Sequence, residues 1–298
     1  MNGTQKVMML IRREVWENRS LWIAPVAIAG VILLSVLFST SPLDGSDNFW
    51  SERNHSPVVV GLSQRDAIYA GLYASLTVVQ MFALGILVFF YLLDSLLQER
   101  KDRSILFWKS LPVSDTEVVI SKAATGLLLT PLFVLVVSAL TQILVGTVLW
   151  LRFHGTPIGQ QFAPWDIGLW LQVQVAFLAL VPAVVVWYLP IAAYLMLVSV
   201  WARKNAFLWA VLPVAAIQLV EALILHSHHF AEFVGRRFAG VFMVMDLPKG
   251  EEIAESPLAT FLLHVGKVFT NYETWVGALA AIAIFVVVIR IRRFRDDS

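Results

Sequence analysis

The 298-residue chain contains no cysteine. That excludes disulfide frameworks, thiol nucleophiles and cysteine-ligated zinc together. Charge is scarce as well: Asp, Glu, Lys and Arg make up 14% of residues, against about 25% in soluble domains. The net charge is +1, so no global basic field exists to hold nucleic acid. There is no G-x-x-x-x-G-K-[ST] phosphate loop, and the Gly266-Lys267 pair runs on into Val268-Phe269. H-E-x-x-H, G-x-S-x-G and paired aspartates within an apolar run are also missing, and no histidine falls inside such a run. A membrane enzyme would need a nucleophile with a base, or paired acids, at that depth.

What the chain has in excess is apolar surface. Ala, Val, Ile, Leu, Met, Phe, Trp and Tyr reach 58%. Exchanging tyrosine for the more numerous glycine raises the fraction further above the ~45–50% of a soluble domain. A globule of this size still leaves much of its surface in water and has no room to hide that excess. The composition is that of an integral membrane protein.

In hydrocarbon every backbone polar group must be satisfied internally, so a long uncharged apolar run is expected to be a helix, and about 20 residues cross the bilayer. Six such runs occur, at about 21–38, 67–93, 123–151, 167–202, 206–225 and 274–290. β-barrel strands would be ~10 residues long with alternating polarity, which these runs are not. The run at 167–202 is long enough for either one protruding helix or a tight hairpin, which would make seven spans. Basic residues decide between these, because Lys and Arg stay on the cytoplasmic side. Six spans with both termini inside put 15 Lys and Arg inside and 7 outside, whereas seven spans give 13 against 9. Trp22, Trp201 and Trp209 then lie near inner ends, and Tyr69, Trp150, Trp165, Trp170, Tyr272 and Trp275 near outer ends, as interfacial belts. The first run is long for a signal-peptide core and Arg12-Arg13 lacks the rest of a twin-arginine signal, so no cleavage is expected.

Three segments between spans carry information. Residues 4–20 mix Met8, Ile11, Val15 and Trp16 with Arg12, Arg13, Glu14 and Glu17 at helical spacing, which predicts a helix in the inner interface. The outer segment 226–272 holds two apolar stretches, 238–245 and 256–269, too short to span and expected as re-entrant or interfacial helices. The loop 99–122 is densely charged, then amphipathic, then broken. Ser104 can cap a short helix that Pro112 stops, and Ser114 with Glu117 forms an S-x-x-E capping box that starts the next helix. The short helix presents Ile105, Leu106, Phe107 and Trp108 beside charges. Such an apolar tip is either a docking surface or a segment lying on lipid headgroups.

At this loop the sequence resembles the ABC-2 type of ATP-binding-cassette transporter permease, whose loop after the second span has the form E-x-x-x-G-T/S-L…L-P-V-S-x-x-E…K. The matching residues are Glu99, Ser104, Leu111-Pro112-Val113-Ser114, Glu117 and Lys122, whereas Arg103 stands where the family often has glycine. The resemblance implies an all-α membrane domain over 1–298, with six transmembrane helices, an N-terminal interfacial helix, a cytoplasmic coupling helix and short outer re-entrant helices before the last span. It implies that Glu99, Arg100, Arg103, Ser104, Ile105, Leu106, Phe107, Trp108, Leu111, Pro112, Ser114 and Glu117 couple to a separate ATPase. ATP and magnesium would be bound by that partner and by no site in this chain. Two ATP-binding subunits, a second transmembrane subunit (a homodimer), export, and a bacterial cytoplasmic membrane complete the implied assembly. A membrane-embedded enzyme and a non-catalytic membrane scaffold are the alternative classes.

Other residues are weaker pointers. Glu221 is the one acid inside an apolar run, and an intramembrane acid marks either a transport pathway or a structural hydrogen bond. Gln80, in the middle of the second run, is a candidate for the pathway or for an interhelical bond. His226, His228 and His229 are weak candidates for a transition metal, with no fourth ligand evident. Asp44, Asp47 and Glu52 read as a solvated outer loop. Gly277 and Ala281, four apart, allow close helix packing.

Overall fold

A computed structural model describes residues 3–38, 62–102, 113–154, 166–245 and 257–294. Among the described residues the chain is all helix, with no strand. Six helices are long and apolar enough to cross a membrane, in the places the hydropathy predicts. The expected coupling helix, with Arg103, Ser104, Ile105, Leu106, Phe107, Trp108, Leu111 and Pro112, lies outside the described residues, as do Asp44, Asp47, Glu52 and Trp165.

The helix α1 (Gly3–Glu17) precedes the first span, α2 (Ser20–Phe38). It ends at Glu17, short of the expected residue 20, because Asn18 turns its side chain back onto the Glu14 carbonyl and carboxylate, both at 3.1 Å. The Trp22 indole donates to the Val15 carbonyl at 3.0 Å and fixes the corner between the two helices. Met8, Met9 and Trp16 of α1 are exposed, whereas Leu10 and Glu14 are buried.

Helix α3 (Leu62–Lys101) is 40 residues long and outruns the apolar stretch at both ends. Charge interrupts a hydropathy count but not a helix, and Leu96, Leu97, Gln98, Glu99, Arg100 and Lys101 all have high helix propensity. The third span is composite: α4 (Asp115–Ala124), one π-helical turn (Thr125–Leu129), then α5 (Thr130–Phe153). The capping box is present. The Glu117 amide donates to the Ser114 hydroxyl at 3.2 Å, and the Ser114 amide donates to the Glu117 carboxylate at 2.8 Å. In the widened turn the Thr130 hydroxyl donates to the Thr125 carbonyl at 2.6 Å.

The long run is one helix, α6 (Ile167–Trp201), with Pro182 and Pro190 inside it. Its 35 residues give a length of about 52 Å, more than the ~40–45 Å of a full bilayer. A short turn with exposed Arg203 and Lys204 follows, and Asn205 enters the left-handed region (φ 50°), which asparagine tolerates, to start α7 (Ala206–Val220). The fifth span closes on a second π-helical turn, Glu221–Leu225.

Two amphipathic helices, α8 (His229–Met245) and α9 (Pro257–Thr270), come before the last span, α10 (Tyr272–Phe294). The first begins well before the apolar stretch at 238, because Glu232, Arg236 and Arg237 sit among apolar residues at helical spacing and break the run without breaking the helix. Both pack on α6, where Val241, Met245, Val265 and Val268 surround Ala183 and Trp187. Gly240 makes that contact: a methyl group there would stand 2.9 Å from the Trp187 ring. The larger core joins α2, α3, α6, α7 and α10 through Leu21, Leu92, Leu96, Leu97, Leu195, Met196, Ala206 and Val288. Since lipid tails are as apolar as leucine, such close packing and interhelical hydrogen bonds hold a bundle like this together.

Candidate functional site

Glu99 lies in the last turn of α3, before the 103–112 segment, and Lys122 lies in α4, after it. The structure brings both into one buried cluster. Lys122 Nζ is 2.7 Å from Glu14 Oε1 and 3.2 Å from Glu99 Oε1. Arg292 Nη1 reaches Glu99 Oε2 at 2.6 Å, and its Nε reaches Asp115 Oδ1 at 3.0 Å. Arg13 Nη1 approaches Glu99 Oε1 at 3.8 Å. The Tyr91 hydroxyl donates to Glu14 Oε2 at 3.0 Å. Glu14, Glu99, Lys122 and Arg292 are each no more than 4% exposed.

Three acids thus face three bases, and charges removed from water demand such pairing. Four helices contribute: α1 gives Arg13 and Glu14, α3 gives Tyr91 and Glu99, α4 gives Asp115 and Lys122, and α10 gives Arg292. The cluster ties the N-terminal helix and the last span to both ends of the segment between 102 and 113.

Beside it, Arg100 serves the scaffold. Its Nη2 donates to the carbonyls of Ser199 (2.7 Å) and Ala202 (2.6 Å), placing a cation on the negative end of α6. The Ser199 hydroxyl accepts from the amides of Leu96 (2.9 Å) and Leu97 (3.1 Å). Helices α3 and α6 are therefore locked together just before the 103–112 segment.

A second polar constellation lies within the spans. Gln80 Nε2 donates to the Thr141 hydroxyl at 3.3 Å, Gln142 Nε2 to the Thr77 hydroxyl at 2.8 Å and the Tyr73 carbonyl at 3.0 Å, and Gln174 Nε2 to Gln142 Oε1 at 2.7 Å. Gln80 thus joins α3 to α5 by an interhelical bond.

Glu221 opens the π-helical turn and is 8% exposed. Its carboxylate accepts from the Ser227 hydroxyl and the Phe230 amide, both at 2.9 Å, capping the start of α8. His226, His228 and His229 are exposed, and among the described residues no group of three His, Cys, Asp or Glu side chains is arranged to hold a metal.

Glu99 and Lys122 stand out in the sequence, whereas Glu14 and Arg292, which pair with them, do not. Glu14 stands one helical turn after Leu10 on the covered side of α1. Arg292 continues the stripe Thr274, Ala278, Ala281 and Val288 of α10. A charge on an otherwise apolar stripe was the available signal.

Residues 67–181 match a family model described as ABC-2 family transporter protein. The matched stretch runs from α3 into α6 and contains Glu99, Lys122 and the segment between them, so it supports the resemblance to an ABC-2 type permease. No curated protein and no solved structure matches the chain.

Proposed function

We propose that the chain is the membrane-spanning permease subunit of an ATP-driven exporter, coupled through residues 99–122 to a separate ATPase subunit. The observation that carries this reading is the buried cluster of Glu14, Glu99, Lys122 and Arg292. A partner that moves the 103–112 segment pulls on Glu99 and Lys122 together. Through the same ion pairs it pulls on α1 and α10. The π-helical turn directly after α4 is the weak point at which that movement enters the third span, since such turns interrupt the regular hydrogen-bond ladder.

In this assembly Phe107 and Trp108 dock on the ATPase, and the charges from Glu99 to Arg103 orient it. The partner binds ATP and magnesium. Two ATPases and a second copy of this chain complete the transporter, in a bacterial cytoplasmic membrane with both termini of the chain inside, as the basic-residue asymmetry supports. The test is purification of the tagged chain from its native membranes. The expected preparation contains a subunit bearing a G-x-x-x-x-G-K-[ST] loop and hydrolyses ATP, whereas the chain alone does not. A chain that purifies without any such subunit in several mild detergents speaks for the scaffold reading.

A further inference from the structure

A cleft of about 770 Å³ separates α7 from α10, with α6 and Phe89 of α3 as its floor and α8 across one end. It lies toward the beginning of α10, at the opposite end of that helix from Arg292. Its volume falls within the ~300–1,000 Å³ of small-molecule sites. The walls are apolar, with Ile191, Leu195, Val214, Phe233, Val276 and Ala280 among them. Charge is confined to Arg236, Arg237 and Glu273, so two guanidinium groups face one carboxylate.

Arg237 is built into place. The Trp187 indole donates to its carbonyl at 3.0 Å, its guanidinium lies over the Trp187 ring at 4.6 Å, and its Nη1 donates to the Glu273 carbonyl at 3.2 Å. Gly277 leaves the room it occupies, for a methyl group there would collide with Nη2. Nη2 is buried and has no hydrogen-bond partner among the described residues. Burial lowers the Arg237 pKa and the Glu273 carboxylate opposes that shift; a guanidinium in such a setting stays charged. On the facing wall Gln218 makes no side-chain hydrogen bond among the described residues. Arg236 is exposed at the rim, 3.8 Å from Glu273.

We propose that this cleft holds an anionic phospholipid, its phosphate at Arg236 and Arg237 and its acyl chains along the apolar walls toward Phe89 and Leu195. A small free anion would leave those walls uncovered, and a neutral lipid would leave the excess positive charge unanswered. The rim stands at the level of Tyr272 and Trp275, the kind of aromatic residues that mark the headgroup zone. Apolar side chains that line the cleft, Val211, Phe233 and Val276, are themselves exposed on the bundle surface, so its lining continues onto a face suited to hydrocarbon.

The experiment is native mass spectrometry of the full chain in micelles with equimolar phosphatidylglycerol and phosphatidylcholine of the same acyl chains. Phosphatidylglycerol should be retained preferentially, by at least fivefold. Arg237→Gln should lower its affinity about tenfold and leave phosphatidylcholine unchanged. Ala215→Phe, which narrows the cleft and leaves both arginines in the chain, should lower retention of both lipids and keeps the test valid if Arg237→Gln misfolds. Equal retention of the two lipids overturns the proposal. So does phosphatidylglycerol binding that ignores both variants, or a lipid-free dimer in which a second copy covers the cleft. No ATPase is needed, so the outcome is independent of the coupling reading.

Discussion

Lys122 Nζ stands 3.2 Å from Glu99 Oε1, an ion pair closed across the segment that separates their helices, and the same ammonium holds Glu14 at 2.7 Å. Truncating one member of a buried pair strands the other charge, which typically costs about 3–5 kcal/mol. Lys122→Met takes the ammonium from Glu14, while Glu99 keeps Arg292 at 2.6 Å, so the unfolding free energy of the purified chain should fall by about the lower end of that range. Lys122→Met with Glu14→Gln should be less destabilised than the sum of the two single variants, because they share one contact. Strict additivity would mean that Glu14 and Lys122 do not interact in the folded protein.

The proposed orientation in the membrane rests on 15 basic residues against 7. Because the chain has no cysteine, single replacements report cleanly. Cysteines at Ser46, Gly159 and Ser256 should react with an impermeant maleimide on intact cells, and one at Ser110 only after the membrane is opened. Labelling of Ser110→Cys from outside overturns this orientation.

Glu221 acts as a cap in the geometry, accepting from Ser227 and Phe230. Glu221→Gln keeps an acceptor oxygen and should retain expression and fold, whereas Glu221→Leu leaves the start of α8 unsatisfied and should lower the melting temperature. A Glu221→Gln chain that folds normally but no longer supports transport-coupled ATP hydrolysis would show that the carboxylate's charge meets cargo or partner.

The spans were legible because hydropathy is a local property and the bilayer fixes its length scale. The ends of α3 and the start of α8 were not, since Asp94, Arg236 and Arg237 break an apolar count without breaking a helix. The capping box at Ser114 and Glu117 was legible because its partners lie three residues apart. The charge cluster was only half legible. Glu99 and Lys122 carried the family's spacing, but Glu14 is 108 residues from Lys122, and Arg292 is 193 from Glu99. No local pattern encodes such a meeting, and only the folded bundle brings those charges together.

The proposed transporter stands or falls with the coupling of residues 99–122 to an ATPase. Burying apolar area is worth about 25 cal/mol per Å², and a large aromatic side chain buries ~150–250 Å², so Phe107 and Trp108 can each hold a partner with a few kcal/mol at most. The most direct measurement is ATP hydrolysis and subunit retention in the complex purified with Phe107→Ala and Trp108→Ala together. The chain should insert normally in the membrane, with ATPase subunits lost or hydrolysis no longer answering to the permease. A double variant that keeps its full complement of ATPase subunits and unchanged coupled hydrolysis would contradict that coupling, leaving the segment a headgroup-binding loop.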